Sequence, residues 1–227
     1  MCFTPTISLA TAVIEFAIAT FILIAFRKSM VNIFFVALVY VLGLYQFTEF
    51  MLCLSNNPVL WAKLGFVAYS FLPAIAIYFI GLMSSKKQRK KLLALVYLIP
   101  VAFSVIALSI GNFIIEAKCS QFFVLGKNML YSISPLLSGV YSVYYAFAIF
   151  LSMILIINKV FKEEDQLKKK IYITIFIGIV ISLIPAIVLI LVIPSLNPMF
   201  PSVYCEFAVL LAIAALIGAM LDSKLKK

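Results

Sequence analysis

Residues 171–192 read IYITIFIGIVISLIPAIVLILV and follow directly on Lys168, Lys169 and Lys170. In water so many β-branched residues would favour a buried strand. In hydrocarbon every backbone N–H and C=O must be paired within the segment, which leaves the helix as the reading for an isolated run. At 1.5 Å per residue such a helix is about 33 Å long, enough to cross a hydrocarbon core of about 30 Å. The rest of the chain supports the membrane reading: of 227 residues, 66% are hydrophobic and only 11% charged, against roughly half and a quarter in soluble domains.

Working outward from this run, breaks at charge, Pro, Asn and Ser clusters predict seven transmembrane helices, over 7–26, 31–54, 58–83, 92–112, 136–158, 171–193 and 202–221. The expected fold is therefore all-α, a polytopic seven-helix membrane protein forming one domain over 1–227. No positive charge precedes the first run and no small-x-small cleavage site is followed by a polar domain, so a cleaved signal peptide is not expected. An outer loop spans 113–135. The other loops and the tail are short and basic, and no soluble output domain is expected.

The net charge of +10 falls into clusters rather than onto one soluble face. Arg27, Lys28, Lys86, Lys87, Arg89, Lys90, Lys91, Lys159, Lys162, Lys168, Lys169, Lys170, Lys224, Lys226 and Lys227 belong to one set of loops and the tail, fifteen of the eighteen basic residues. Only Lys63, Lys118 and Lys127 belong to the other set. The positive-inside rule then puts the N-terminus outside and the C-terminus in the cytoplasm. The basic clusters are read as partners of anionic headgroups, worth roughly 1 kcal/mol per residue near the surface. Without an aromatic-interleaved platform, no nucleic-acid partner is expected.

With that orientation all four cysteines fall on or near the outer side, at Cys2, Cys53, Cys119 and Cys205. An oxidising outer face and four cysteines allow three disulfide connectivities. The expectation is at least one bridge tying the long loop or the N-terminus to the bundle; the alternative is four thiols packed as small apolar groups. No metal site is expected, as the chain has no His, and no cofactor or catalytic residue is assigned.

Three acidic residues lie within spans, Glu15, Glu49 and Glu206, and ionisable groups inside a membrane are functional candidates by their cost alone. Ser8, Thr11 and Glu15 share one helix face, as do Gln46, Glu49 and Cys53, and a third polar stripe holds Ser138, Tyr141 and Tyr145. Glu15, Gln46, Glu49, Lys63, Tyr141, Tyr145 and Glu206 are thus the ligand-binding or ion-pathway candidates, expected around one outward-opening pocket. Competing structural readings are a Glu49–Lys63 ion pair across a short turn at Ser55 to Pro58, and protonated, hydrogen-bonded packing groups at Glu15 and Glu206. Pro73, Pro100 and Pro185 are expected to kink their helices.

Two resemblances follow from particular residues. Leu60-Trp61-Ala62-Lys63-Leu64-Gly65, then Phe71-Leu72-Pro73 and an aromatic-aliphatic stretch to Gly81, with Ile217-Gly218-Ala219-Met220-Leu221 near the end, resemble the seven-helix receptor region at the N-terminus of bacterial histidine kinases. In those kinases a cytoplasmic output domain follows. Met1-Cys2-Phe3-Thr4 and Gln46-Phe47-Thr48-Glu49 resemble small uncharacterised prokaryotic membrane proteins that begin Met-Cys-Phe-Ser and carry Gln-x-x-Glu-Gly, with Thr4 for Ser and Phe50 for Gly here. The resemblances imply a multi-pass protein of a prokaryotic cell membrane. The expected function is receptor-like: binding a small or lipophilic ligand from the outer side and signalling through a separate protein. The alternative is a small-solute or ion transporter using the intramembrane Glu residues. A retinal protein, a zinc hydrolase and a Pro-Gln sugar transporter are excluded by the missing lysine in the seventh run, the missing His and the missing Pro-Gln pair. The oligomeric state is left open.

Overall fold

The computed structural model describes residues 4–26, 29–82, 89–119, 124–128, 130–193 and 200–225. Their order is α1 (Thr4–Ala25), α2 (Met30–Leu54), α3 (Pro58–Leu82), α4 (Arg89–Ser109), β1 (Ile114–Cys119), β2 (Val124–Asn128), α5 (Leu130–Ile133), α6 (Pro135–Lys162), α7 (Gln166–Val192) and α8 (Phe200–Lys224). Among the described residues six helices are long and apolar enough to cross a bilayer, and a seventh, Val96–Ser109 within α4, is apolar but shorter. The run 171–192 is helix throughout.

Local signals explain most boundaries. Ser29 caps α2 by accepting from the Asn32 N–H at 3.0 Å, and Ser134 caps α6 with Pro135 in its first turn, the positions where hydroxyls and proline suit a helix start. Helix α7 starts earlier than its apolar run, because the Asp165 carboxylate accepts from the Leu167 and Lys168 N–H groups at 2.9 and 3.3 Å. That cap draws Lys168, Lys169 and Lys170 into the first turns. Pro73, Pro100 and Pro185 all lie inside helices.

The all-α bundle carries one short addition among the described residues, the antiparallel hairpin of β1 and β2. An irregularity between Ile114 and Glu116 inserts one residue, which turns Ile115 out to half exposure and lets Ile114 share the inward face with Ala117 and Cys119. Glu116 pairs across the strands with Lys127. It also meets the Lys118 ammonium at 2.6 Å, which holds its carboxyl below the usual range. Cys53 at the end of α2 is disulfide-bonded to Cys119, with Cα atoms 5.5 Å apart. The hairpin is thereby fastened over one end of the bundle.

The helices pack in two unequal groups around α3. The larger core joins α1, α2, α3, α7 and α8, with α6 entering through Ile156, and includes Ala19, Phe35, Leu72, Ile175 and Ala215. A second joins α3, α4 and α6 to the hairpin root through Phe66, Phe103, Phe113, Leu130 and Tyr141. Small residues let backbones approach, as membrane helices require: the Phe35 ring fills the space beside Gly218, and Ala214 sits against Gly178. Helix α7 packs along α8 extensively and touches α6 much less. Bulky side chains such as Ile24, Leu136, Phe147, Phe161 and Leu191 are exposed on the flanks, the distribution lipid contact calls for.

At the end opposite the hairpin, Ser29 donates to Asp222 Oδ2 at 2.5 Å, joining the start of α2 to the end of α8. Lys159, Lys162, Lys168, Lys169 and Lys170 belong to that end, and Lys63, Lys118 and Lys127 to the hairpin end. These eight described lysines divide between the two ends as they do between the two sets of loops.

Candidate functional site

The predicted residues separate into two places rather than one. The first lies between α1, α2 and α8. Ser8 and Glu15 on α1 and Gln46 and Glu49 on α2 are each at most 2% exposed, and Thr11 is nearly as buried. Ser8 donates to Glu49 Oε2 at 3.3 Å, and Tyr45 lines a small space together with Glu49. Glu15, both polar atoms of the Gln46 amide and Glu49 Oε1 have no hydrogen-bond partner. A small cavity of about 40 Å³ beneath the hairpin, lined by Tyr45, Tyr69 and Gly126 among others, reaches Glu49.

Lys63 does not join it. Its ammonium donates to the Ile110 carbonyl at 2.6 Å, which also accepts from the Phe113 N–H at 3.2 Å, just past the end of α4, where the helix dipole favours a cation. The Glu49–Lys63 ion pair is therefore not formed. The side chain of Glu206 lies outside the described residues, as does Cys2. Cys205 is a buried thiol on α8, 1% exposed.

The second place lies between α3, α6 and α7. Tyr141 on α6 bonds Ser70 on α3 at 2.8 Å. Ser70 gives its own proton to the Phe66 carbonyl at 2.7 Å, so Tyr141 is the donor in the pair. Tyr144 donates to the Ser70 carbonyl at 3.1 Å. Around them Phe66 stacks on Tyr141 with ring centres 5.2 Å apart, and Tyr69 meets Tyr145 edge-on at 6.1 Å. Beside this cluster a cavity of about 340 Å³ opens between α6 and α7, lined by Tyr69, Tyr141, Tyr145, Ala146, Leu183 and Ile187. It adjoins a central space of about 60 Å³ that shares Tyr145, Ile149 and Leu183 and reaches Tyr204 on α8.

The hairpin touches both places. The Val124 N–H donates to Ser202 Oγ at 3.0 Å, and Val124 lines the cavity beneath the hairpin together with Glu49. Gly126 lines that same cavity together with Tyr69. Tyr45, Tyr69, Ser70 and Ser202 were missed in the sequence. Tyr69 and Ser70 sit one turn past Gly65 and Phe66 on an otherwise apolar helix, and that polar pair was the available signal.

Among the described residues the bundle has six helices long and apolar enough to cross a bilayer and a seventh that is shorter, with a hairpin at one end. Residues 7–226 match the family described as the N-terminal 7TM region of histidine kinase. The chain belongs to that family. No curated protein and no solved structure matches it. For a histidine-kinase 7TM region, a receptor-like sensory role in a multi-pass membrane protein fits.

Proposed function

We propose that this 7TM region senses a small lipophilic ligand carrying one polar group, which enters from the bilayer between α6 and α7. The observation that carries the reading is the cavity of about 340 Å³ at that gap. Its volume lies within the usual range for small-molecule sites, and its lining is apolar with a few convergent hydroxyls, as such sites are. The polar group would meet Tyr69, Tyr141 and Tyr145, and the tail would lie along Ile149, Leu183 and Ile187. Binding there would wedge α6 away from the tightly joined α7–α8 pair. The shift would leave by the basic end, where α6 turns into α7 beside the end of α8, towards a cytoplasmic signalling partner. The hairpin and its disulfide would face outward, supported by the fifteen-to-three charge split.

The test uses the purified chain in nanodiscs with a dansylated long-chain alcohol, excited by energy transfer from Trp61, the one tryptophan. Saturable transfer is expected, weakened at least tenfold by Ala146→Phe, which fills the gap, and several-fold by Tyr141→Phe, which removes a hydroxyl. Transfer unchanged in Ala146→Phe would refute the lateral site. The transport reading retains Glu15 and Glu49 as buried carboxylates; solute uptake into vesicles that Glu15→Gln abolishes would favour it.

A further inference from the structure

The α1–α2–α8 cluster plays no part in the lipophilic site, and its chemistry is that of a cation site. Its register is fixed by two contacts: Ser8 bonds Glu49, and the Phe16 ring packs into the space beside Gly43. Glu15, adjacent to Phe16, is thereby placed opposite the turn of α2 between Gly43 and Gln46, on the same α1 face as Ser8 and Thr11. Gln46 is one turn from Glu49 on the same face of α2, fully buried, with neither its oxygen nor its nitrogen paired.

A buried amide, a whole buried carboxyl and one oxygen of a second left unpaired would each cost free energy. Four of the unpaired atoms are oxygens: Glu15 Oε1 and Oε2, Gln46 Oε1 and Glu49 Oε1. No lysine or arginine among the described residues pairs with them, as Lys63 is held by Ile110.

We propose that Glu15, Gln46 and Glu49 bind a monovalent metal cation the size of Na⁺ inside the bundle. Oxygen donors suit a hard cation, and four are fewer than the six to eight that Ca²⁺ takes. The charge also points to a single positive ion. Glu49 already has a hydroxyl bond from Ser8, so the carboxyl with no partner on either oxygen is Glu15. The ion reaches the site through the cavity beneath the hairpin that Glu49 lines. Through Val124, which lines the same cavity, occupancy is coupled to the hairpin.

The experiment compares thermal unfolding of the full chain in nanodiscs in NaCl, KCl and choline chloride at equal ionic strength. Tenfold above its Kd, Na⁺ should raise the Tm by about 3–6 °C over choline, with K⁺ weaker. Glu15→Gln and Gln46→Leu should each weaken the Na⁺ response at least tenfold. If a variant does not fold in choline, binding of radiolabelled Na⁺ to the unmodified chain decides: displacement by unlabelled NaCl but not by choline supports the site. Identical melting in all three salts overturns it. So does a pH dependence that is the same with and without Na⁺, which would mean that Glu15 and Glu49 hold a proton only, or displacement of Na⁺ by lower concentrations of Ca²⁺.

Discussion

Replacing Gly178 by Ala tests whether α7 and α8 move as one body. A Cβ at position 178 would lie 2.6 Å from the Ala214 Cβ and 3.1 Å from Leu211 Cδ1, whereas non-bonded carbons rest at about 3.5–4.0 Å. The first contact joins Cβ atoms fixed to two backbones, so no side-chain rotation relieves it. The helices must separate by about 1 Å there, at the overpacking cost of about 1–3 kcal/mol. At about 2–4 °C per kcal/mol for a chain of this length, the Tm should fall by about 2–12 °C. Cys205 provides the readout: it is outside the disulfide and 1% exposed, so in a Cys2→Ser background a thiol-reactive dye reports the opening of α8. The decisive control is the exchange Gly178→Ala with Ala214→Gly, which returns the same atom count to the interface with the Cβ on the other helix. It should recover most of the lost stability. A single variant that melts with the parent, or an exchange whose losses add, would refute the packing argument and the rigid α7–α8 pair on which the α6 wedge depends.

Removing the disulfide by Cys53→Ser and Cys119→Ser should speed amide exchange in Ile114–Cys119 and Val124–Asn128 at least tenfold while α2 and α3 exchange as before. A free loop of 66 residues would give a cross-link about 4 kcal/mol, but α3 and α4 stay inserted in the bilayer, so only the hairpin gains freedom; unchanged hairpin exchange would contradict this. Ser29→Ala should lower the Tm more than Asp222→Asn. The former removes both the α2 cap and the buried bond to Asp222, at about 1–2 kcal/mol for the cap alone, whereas the latter leaves an amide oxygen in place to accept from Ser29. The reverse order of melting would show that the charge, not the cap, governs this contact.

The helices were legible because the bilayer makes periodicity unnecessary: a run such as 171–192 is long, apolar and bounded by lysines, and lipid permits only one backbone solution for it. Charge placement and the short Ser55–Pro58 turn were legible for the same reason, being local. Glu15, Gln46 and Glu49 were found because polar groups stand out against an apolar background, and i, i+3 spacing puts the two α2 residues on one face. The hairpin was not legible: its inward face depends on an inserted residue at Ile115 that alternation alone would misassign.

The sequence by itself determined the membrane class, the helices and which residues are too costly to bury without purpose, since these depend on composition and near neighbours. Only the tertiary structure decided which of those residues meet. Lys63 turns to the Ile110 carbonyl at the end of α4 instead of to Glu49, Cys53 finds Cys119 rather than Cys205, and Tyr141 and Tyr145 line a separate gap. Each outcome depends on how far apart two helices pack and how they are rotated, which Gly178, Gly43 and Gly218 set through contacts with residues distant in the chain.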